Sequence, residues 1–148
     1  SDVLTLLLVM DSYVELYKGG IVPLADFVNM PYDRDILVRV IVKKTAAHYS
    51  YKSVRISKTD FPVLTCAAAL TQKGVQAAVG ARPAKAALVK DAEQLATLPM
   101  TAEKAQAFAE YAAGLLPTET NPRGSAAYRT HLIKVLTARC LTELGGKA

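Results

Sequence analysis

Tyr49-Ser-Tyr51-Lys52-Ser-Val-Arg55-Ile-Ser-Lys58-Thr-Asp60-Phe61-Pro62-Val-Leu-Thr-Cys66-Ala-Ala-Ala-Leu70 is the stretch on which the reading of this chain turns. A weakly alternating polar run, His48 to Ile56, leads through an Asp60-Phe61-Pro62 break into the apolar run Val63 to Leu70. Alternation, a Pro break and a short apolar run bounded by turn residues are the marks of two strands, the second buried. Lys52, Arg55 and Lys58 place fixed cations beside that strand, where charge-assisted bonds to an anionic ligand can form. The bland reading is an edge strand guarded by Lys against aggregation, and the residues alone favour it.

Upstream, Val3 to Met10 reads as a short helix that Ser1 or Asp2 can cap, with a strand as the rival reading. Tyr13 to Tyr17, the Lys18-Gly19-Gly20 turn and Ile21 to Leu24 form a hairpin signature. Ala25 to Tyr32 reads as a loop or a single helical turn, and Asp35 to Val42 as a β-branched strand closed by Lys43-Lys44-Thr45. Asp33 and Asp35 are paired carboxylates, but in a Pro-Tyr-Asp-Arg-Asp loop their expected work is turn formation.

Downstream, Gln72-Lys73-Gly74 turns the chain into Val75 to Gly80. From Ala81 the composition shifts. Pro83 suits a first helical turn, so Ala84 to Leu95 is predicted to be helical, ended by Pro99. Thr101 is predicted to cap a helix to about Leu115, and Ser125 a last helix ended by Gly145-Gly146. Strands first and helices last predict an α+β fold, three helices covering a small antiparallel sheet.

The chain has 148 residues, 51% hydrophobic and 21% charged, which is a globular profile. Net charge is +5 and the sequence pI is about 9.2. The Lys and Arg are scattered, with no block of five like charges and no aromatic–basic interleaving, so nucleic acid is not an expected partner. The longest apolar run, Val3 to Met10, is too short to span a bilayer and lacks the marks of a signal peptide. A cytoplasmic protein is expected. The chain starts with Ser, and its first apolar run has no preceding element to pack on, so a fragment of something larger is expected. Cys66 and Cys140 sit in apolar surroundings and read as free buried thiols, a disulfide between them being the alternative. No CxxC pair and no nearby His pair supports a metal site. No GxGxxG, GxxxxGK[ST], GxSxG or HExxH motif is present, and His48 and His131 have no partner in sequence.

Three groups of residues in order carry a resemblance. Ser1-Asp2 comes before Leu6-Leu7-Leu8-Val9-Met10-Asp11, Tyr51-Lys52 runs to Asp60-Phe61-Pro62-Val63, and Val79-Gly80-Ala81-Arg82-Pro83 is followed by Tyr128-Arg129 and Leu132. Taken together over nearly all of the chain, they resemble the C-terminal portion of the flavin-binding subunit of molybdenum hydroxylases, a family that includes xanthine dehydrogenase and carbon monoxide dehydrogenase. The resemblance implies two pieces: residues 1–60 as the tail of an FAD-binding domain, and 61–148 as a small C-terminal α+β domain. It implies FAD as cofactor, taking electrons from a 2Fe-2S partner subunit and passing them to NAD or another acceptor, while a molybdopterin subunit oxidises the substrate. Residue by residue it implies Ser1 and Asp2 near the flavin, Leu37 as an apolar contact, and Lys52 as a cation on the cofactor. A cation there stabilises the anionic reduced flavin. The family's glycine-rich pyrophosphate loops lie upstream of the position of Ser1, so FAD binding is expected only with the N-terminal half present. Where the family often has two adjacent basic residues, this chain has Ile56-Ser57, and Arg55 and Lys58 are expected to be surface charge. The alternative is a module that docks the iron–sulfur or molybdenum subunit without touching cofactor.

Overall fold

A computed structural model describes residues 2–32 and 34–146. Ser1 and Asp33, singled out above, lie outside the described residues.

The first piece is helix α1 (Asp2–Val9), the hairpin strands β1 (Tyr13–Leu16) and β2 (Gly20–Pro23), the single turn α2 (Leu24–Phe27) and strand β3 (Leu37–Ile41). The helical reading of the first apolar run therefore holds. The strands form a three-stranded antiparallel sheet ordered β2-β1-β3. Gly20 takes a left-handed φ of 69°, which the hairpin turn requires and a glycine adopts without strain.

Asp35 closes the same hairpin from outside. Its carboxylate accepts from the backbone N–H of Lys18 at 3.0 Å, Gly19 at 2.8 Å and Ile36 at 2.8 Å. Desolvation pushes this carboxyl up, but the backbone donors outweigh it and hold the pKa below the usual aspartate value. A carboxyl with a lowered folded pKa contributes stability above its unfolded pKa and loses it as pH falls through the folded one. Asp35→Asn is therefore expected to lower the thermal midpoint at neutral pH. The gap from the parent should close as pH drops below about 4, where the aspartate itself becomes protonated.

The second piece is a four-stranded antiparallel sheet ordered β4-β5-β6-β7. Its strands are β4 (His48–Val54), β5 (Leu64–Thr71), β6 (Gly74–Gly80) and β7 (Ala87–Lys90). Helices α3 (Ala102–Leu115) and α4 (Ala126–Gly145) follow. Both caps fall where the sequence put them: the Thr101 hydroxyl accepts from Lys104 N and the Ser125 hydroxyl from Tyr128 N.

The α+β class and the antiparallel sheet under helices agree with the sequence, but the helical layer is made differently. Ala84 to Leu95 is not helical. Its Ala87–Lys90 segment is β7, paired with β6 from Gln76↔Lys90 to Val79↔Ala87. The reason is that both faces of this sheet are covered. Val89 enters the core on one side and Leu88 packs on the other, a period of two that an Ala-rich apolar run conceals. Helices α3 and α4 cover the face carrying Leu64, Cys66, Ala68, Val75, Ala77 and Val79. Helix α1 supplies the third helix, on the opposite face, with Leu8 and Val9 against Ala67, Ala69 and Ala78. The alanines of β5 and β6 let helices approach closely on both sides. Cys66 and Cys140 are free and buried, and the Cys66 thiol lies 3.5 Å from the Thr137 hydroxyl.

Candidate functional site

The two faces of β4 separate the cations that the sequence grouped. A strand sends alternate side chains to opposite faces. Ser50 and Lys52 face α4: the Lys52 ammonium donates to Glu143 at 2.8 Å, and the Ser50 hydroxyl donates to the same carboxylate oxygen at 2.9 Å. The hydrogen bond from Glu143 raises the Lys52 pKa. Arg55 faces the other way, toward α1, where its guanidinium donates to the Asp2 carboxylate and to Asp60 O.

Around that Asp2–Arg55 pair lies a cleft of about 400 Å³, lined also by Thr59, Asp60, Phe61, Pro62, Thr65 and Ala81. Phe61 is 72% exposed there. Arg123 stands over its ring at 5.3 Å from the centroid and reaches Asp60 at 3.4 Å, a cation–π distance. The cleft floor is fixed from both sides. The Thr5 hydroxyl of α1 and the Thr65 hydroxyl of β5 meet at 2.8 Å. Arg129 of α4, fully buried, donates to Val63 O, Glu119 O, Gly124 O and Asn121 Oδ1. These bonds clamp the 119–124 loop against the start of β5, two residues from Phe61.

Of the expected site residues, the structure puts Asp2 in this cleft. Lys52 is on the opposite face of the sheet, and Leu37 is on β3 with its side chain 45% exposed. Neither lines the cleft. Arg55, expected to be surface charge, is the cation that meets Asp2. Strand parity could have linked Arg55 with Tyr49 and Tyr51 rather than with Lys52, but the sequence did not say which face α1 covers.

The chemistry of the cleft is a guanidinium, a carboxylate and an open aromatic ring. It can place charge beside a flat conjugated ligand and stack against it. It offers no glycine-rich cradle for a pyrophosphate, so it fits a part of FAD rather than the whole. A larger cavity, about 850 Å³, lies between the two sheets and is lined by Ser12, Tyr13, Tyr49, Lys73 and Lys90 among others. Among the described residues no group of three or more His, Cys, Asp or Glu is placed to hold a metal ion. No helix among them is long and apolar enough to cross a membrane.

Comparison with known proteins agrees with this architecture. The model of the CO dehydrogenase flavoprotein C-terminal domain family matches residues 49–144, and the chain belongs to that family. Quinoline 2-oxidoreductase from Pseudomonas putida 86 superposes with a TM-score of 0.79 at 21% identity, over 100% of this chain and 57% of that one. A carbon monoxide dehydrogenase from Hydrogenophaga pseudoflava, in a form lacking the Mo-pyranopterin moiety, gives 0.82 at 18% identity, over 98% of this chain and 56% of that one. Cyanide-inactivated Cu,Mo-CO dehydrogenase gives 0.81 at 18% identity. No curated protein sequence matches the chain. The chain spans a little over half the length of the solved structures it matches. The resemblance read from the sequence therefore holds at the level of family and fold.

Proposed function

We propose that this chain is the C-terminal part of the FAD-binding subunit of a molybdenum hydroxylase, a xanthine dehydrogenase-like oxidoreductase. The observation that carries the reading is the Asp2–Arg55 cleft with its open Phe61 ring, held on the edge of a sheet of the CO dehydrogenase flavoprotein C-terminal domain type. FAD, when bound, would supply electron transfer from a 2Fe-2S partner subunit to NAD or another acceptor, with substrate oxidation on a molybdopterin subunit. Asp2 and Arg55 would bind and orient the flavin, with Ser1 and Leu37 near it. Lys52 would reach it only if the Glu143 pair opened. Residues 1–60 would belong to the FAD-binding domain and 61–148 to the C-terminal domain, with β4 lent to the second domain's sheet. A cytoplasmic site of action suits two free buried thiols.

The test is a titration of FAD into this chain alone, then into the chain joined by a polypeptide carrying the glycine-rich flavin loops. Weak or no binding is expected alone, and tight binding in the completed protein. Arg55→Ala should leave assembly intact and weaken FAD about tenfold or more, the worth of a lost bond to a charged group.

A second reading, a subunit-docking module without cofactor contact, is favoured by the engagement of Lys52 with Glu143. It predicts that neither Arg55→Ala nor Lys52→Ala changes FAD affinity, while subunit assembly depends on the α3–α4 face.

A further inference from the structure

The three-stranded sheet has two free edges, and they differ. The β2 edge is guarded: the strand is short, opens on Gly20 and ends in Pro23, features that blunt an edge. The β3 edge is not. Ile36, Leu37, Val38, Val40 and Val42 are 67, 45, 53, 43 and 43% exposed, and the one charge within the strand, Arg39, is already paired with Glu15 of β1.

The register shows why these side chains matter. Val14 faces Val40 and Leu16 faces Leu37 across the β1–β3 pair. Val14 and Leu16 are 0 and 4% exposed. Their cross-strand neighbours on the same face stand open. The apolar layer that is buried under β1 thus runs on under β3 and ends there uncovered. A small ligand would cover the side chains but leave the backbone edge unpaired. An extended polypeptide satisfies both.

Resting on the function proposed above, we propose that the outer edge of β3 takes one strand of the completing flavin-domain polypeptide, extending the sheet and closing the core over Val38 and Val40. The occupant is argued from length: the solved structures of this fold carry a large further share of chain beyond what this one spans. A strand added to an exposed edge is a general mode of recognition, main-chain bonds giving affinity and alternate side chains giving register.

The experiment uses the whole chain with the double substitution Val38→Lys and Val40→Lys, leaving Leu37 and the Asp2–Arg55 cleft untouched. Its partner in trans is a polypeptide carrying the glycine-rich flavin loops. The parent chain should bind that polypeptide. The variant should keep its own thermal midpoint, since both positions are exposed, and bind about a hundredfold more weakly, the effect of burying unpaired charge. Equal binding by parent and variant would overturn the proposal, as would no binding by the parent. Light scattering that shows a dimer of the parent abolished in the variant would put a second copy on the edge and also overturn it. FAD binding is read separately: association that depends on β3 with no flavin uptake would support this proposal and count against the flavin function.

Discussion

Arg129→Ala is expected to unfold the protein or leave it about 4 kcal/mol less stable. Arg129 is 0% exposed and spends its guanidinium on four acceptors: Val63 O, Glu119 O, Gly124 O and Asn121 Oδ1. Truncation leaves these groups without their donor, and a buried group so stranded costs about 1–3 kcal/mol. Water entering the space left by the side chain offsets part of the sum. Arg129→Lys should recover little, because a point ammonium cannot reproduce a fork aimed at several acceptors. Chemical denaturation of the two variants beside the parent checks this. A loss below about 1 kcal/mol for the alanine variant would mean that the clamp is not fixed as described.

The second large effect is at Gly80, in the last residue of β6. A Cβ built there would collide with the Thr5 hydroxyl of α1 and sit 2.6 Å from the Thr65 hydroxyl of β5. These are the two groups that bond each other at 2.8 Å under the cleft. Gly80→Ala must break that bond or push α1 off the sheet. Overpacking of a tight core costs about 1–3 kcal/mol and the lost hydrogen bond about 1 more, so a loss of about 2–4 kcal/mol is expected. Helix α1 carries Asp2, so its displacement should also weaken FAD binding in the completed protein. Gly114→Ala is the control with the opposite sign. Gly114 is exposed in α3 with nothing within 4 Å of its added Cβ, and alanine there should gain about 0.5–1 kcal/mol from helix propensity.

Much of this fold is written locally. The Thr101 and Ser125 caps, the Lys18-Gly19-Gly20 turn and the apolar runs of β5 and β6 each follow from chemistry within a few residues. What was not legible depends on partners distant in sequence. Ala84 to Leu95 looks helical because alanine and leucine favour helices, and only the pairing of Ala87–Lys90 with β6 overrides that preference. The carboxylate of Asp35 was expected to shape its own loop, and instead binds the N–H groups of Lys18 and Gly19 across the hairpin.

The site was half legible for the same reason. Asp2 and Arg55 are far apart in the chain, and their meeting requires α1 to lie on the odd-numbered face of β4. Nothing local marks that face. Tyr49 and Tyr51 point one way, Ser50 and Lys52 the other, and neither set is clearly the more apolar. Arg129 carries no local sign of its role either, since a buried cation satisfied by carbonyls has no sequence signature.

The central claim is that the flavin is met on the α1 face of the sheet, by Arg55 and Asp2. Equilibrium FAD titration of the completed protein, with the parent, Arg55→Ala and Lys52→Ala side by side, tests it most directly. The account predicts tight binding by the parent, a loss of about tenfold or more for Arg55→Ala, and near-parent affinity for Lys52→Ala. A large loss for Lys52→Ala with Arg55→Ala unchanged would contradict it, as would no FAD binding by the completed parent.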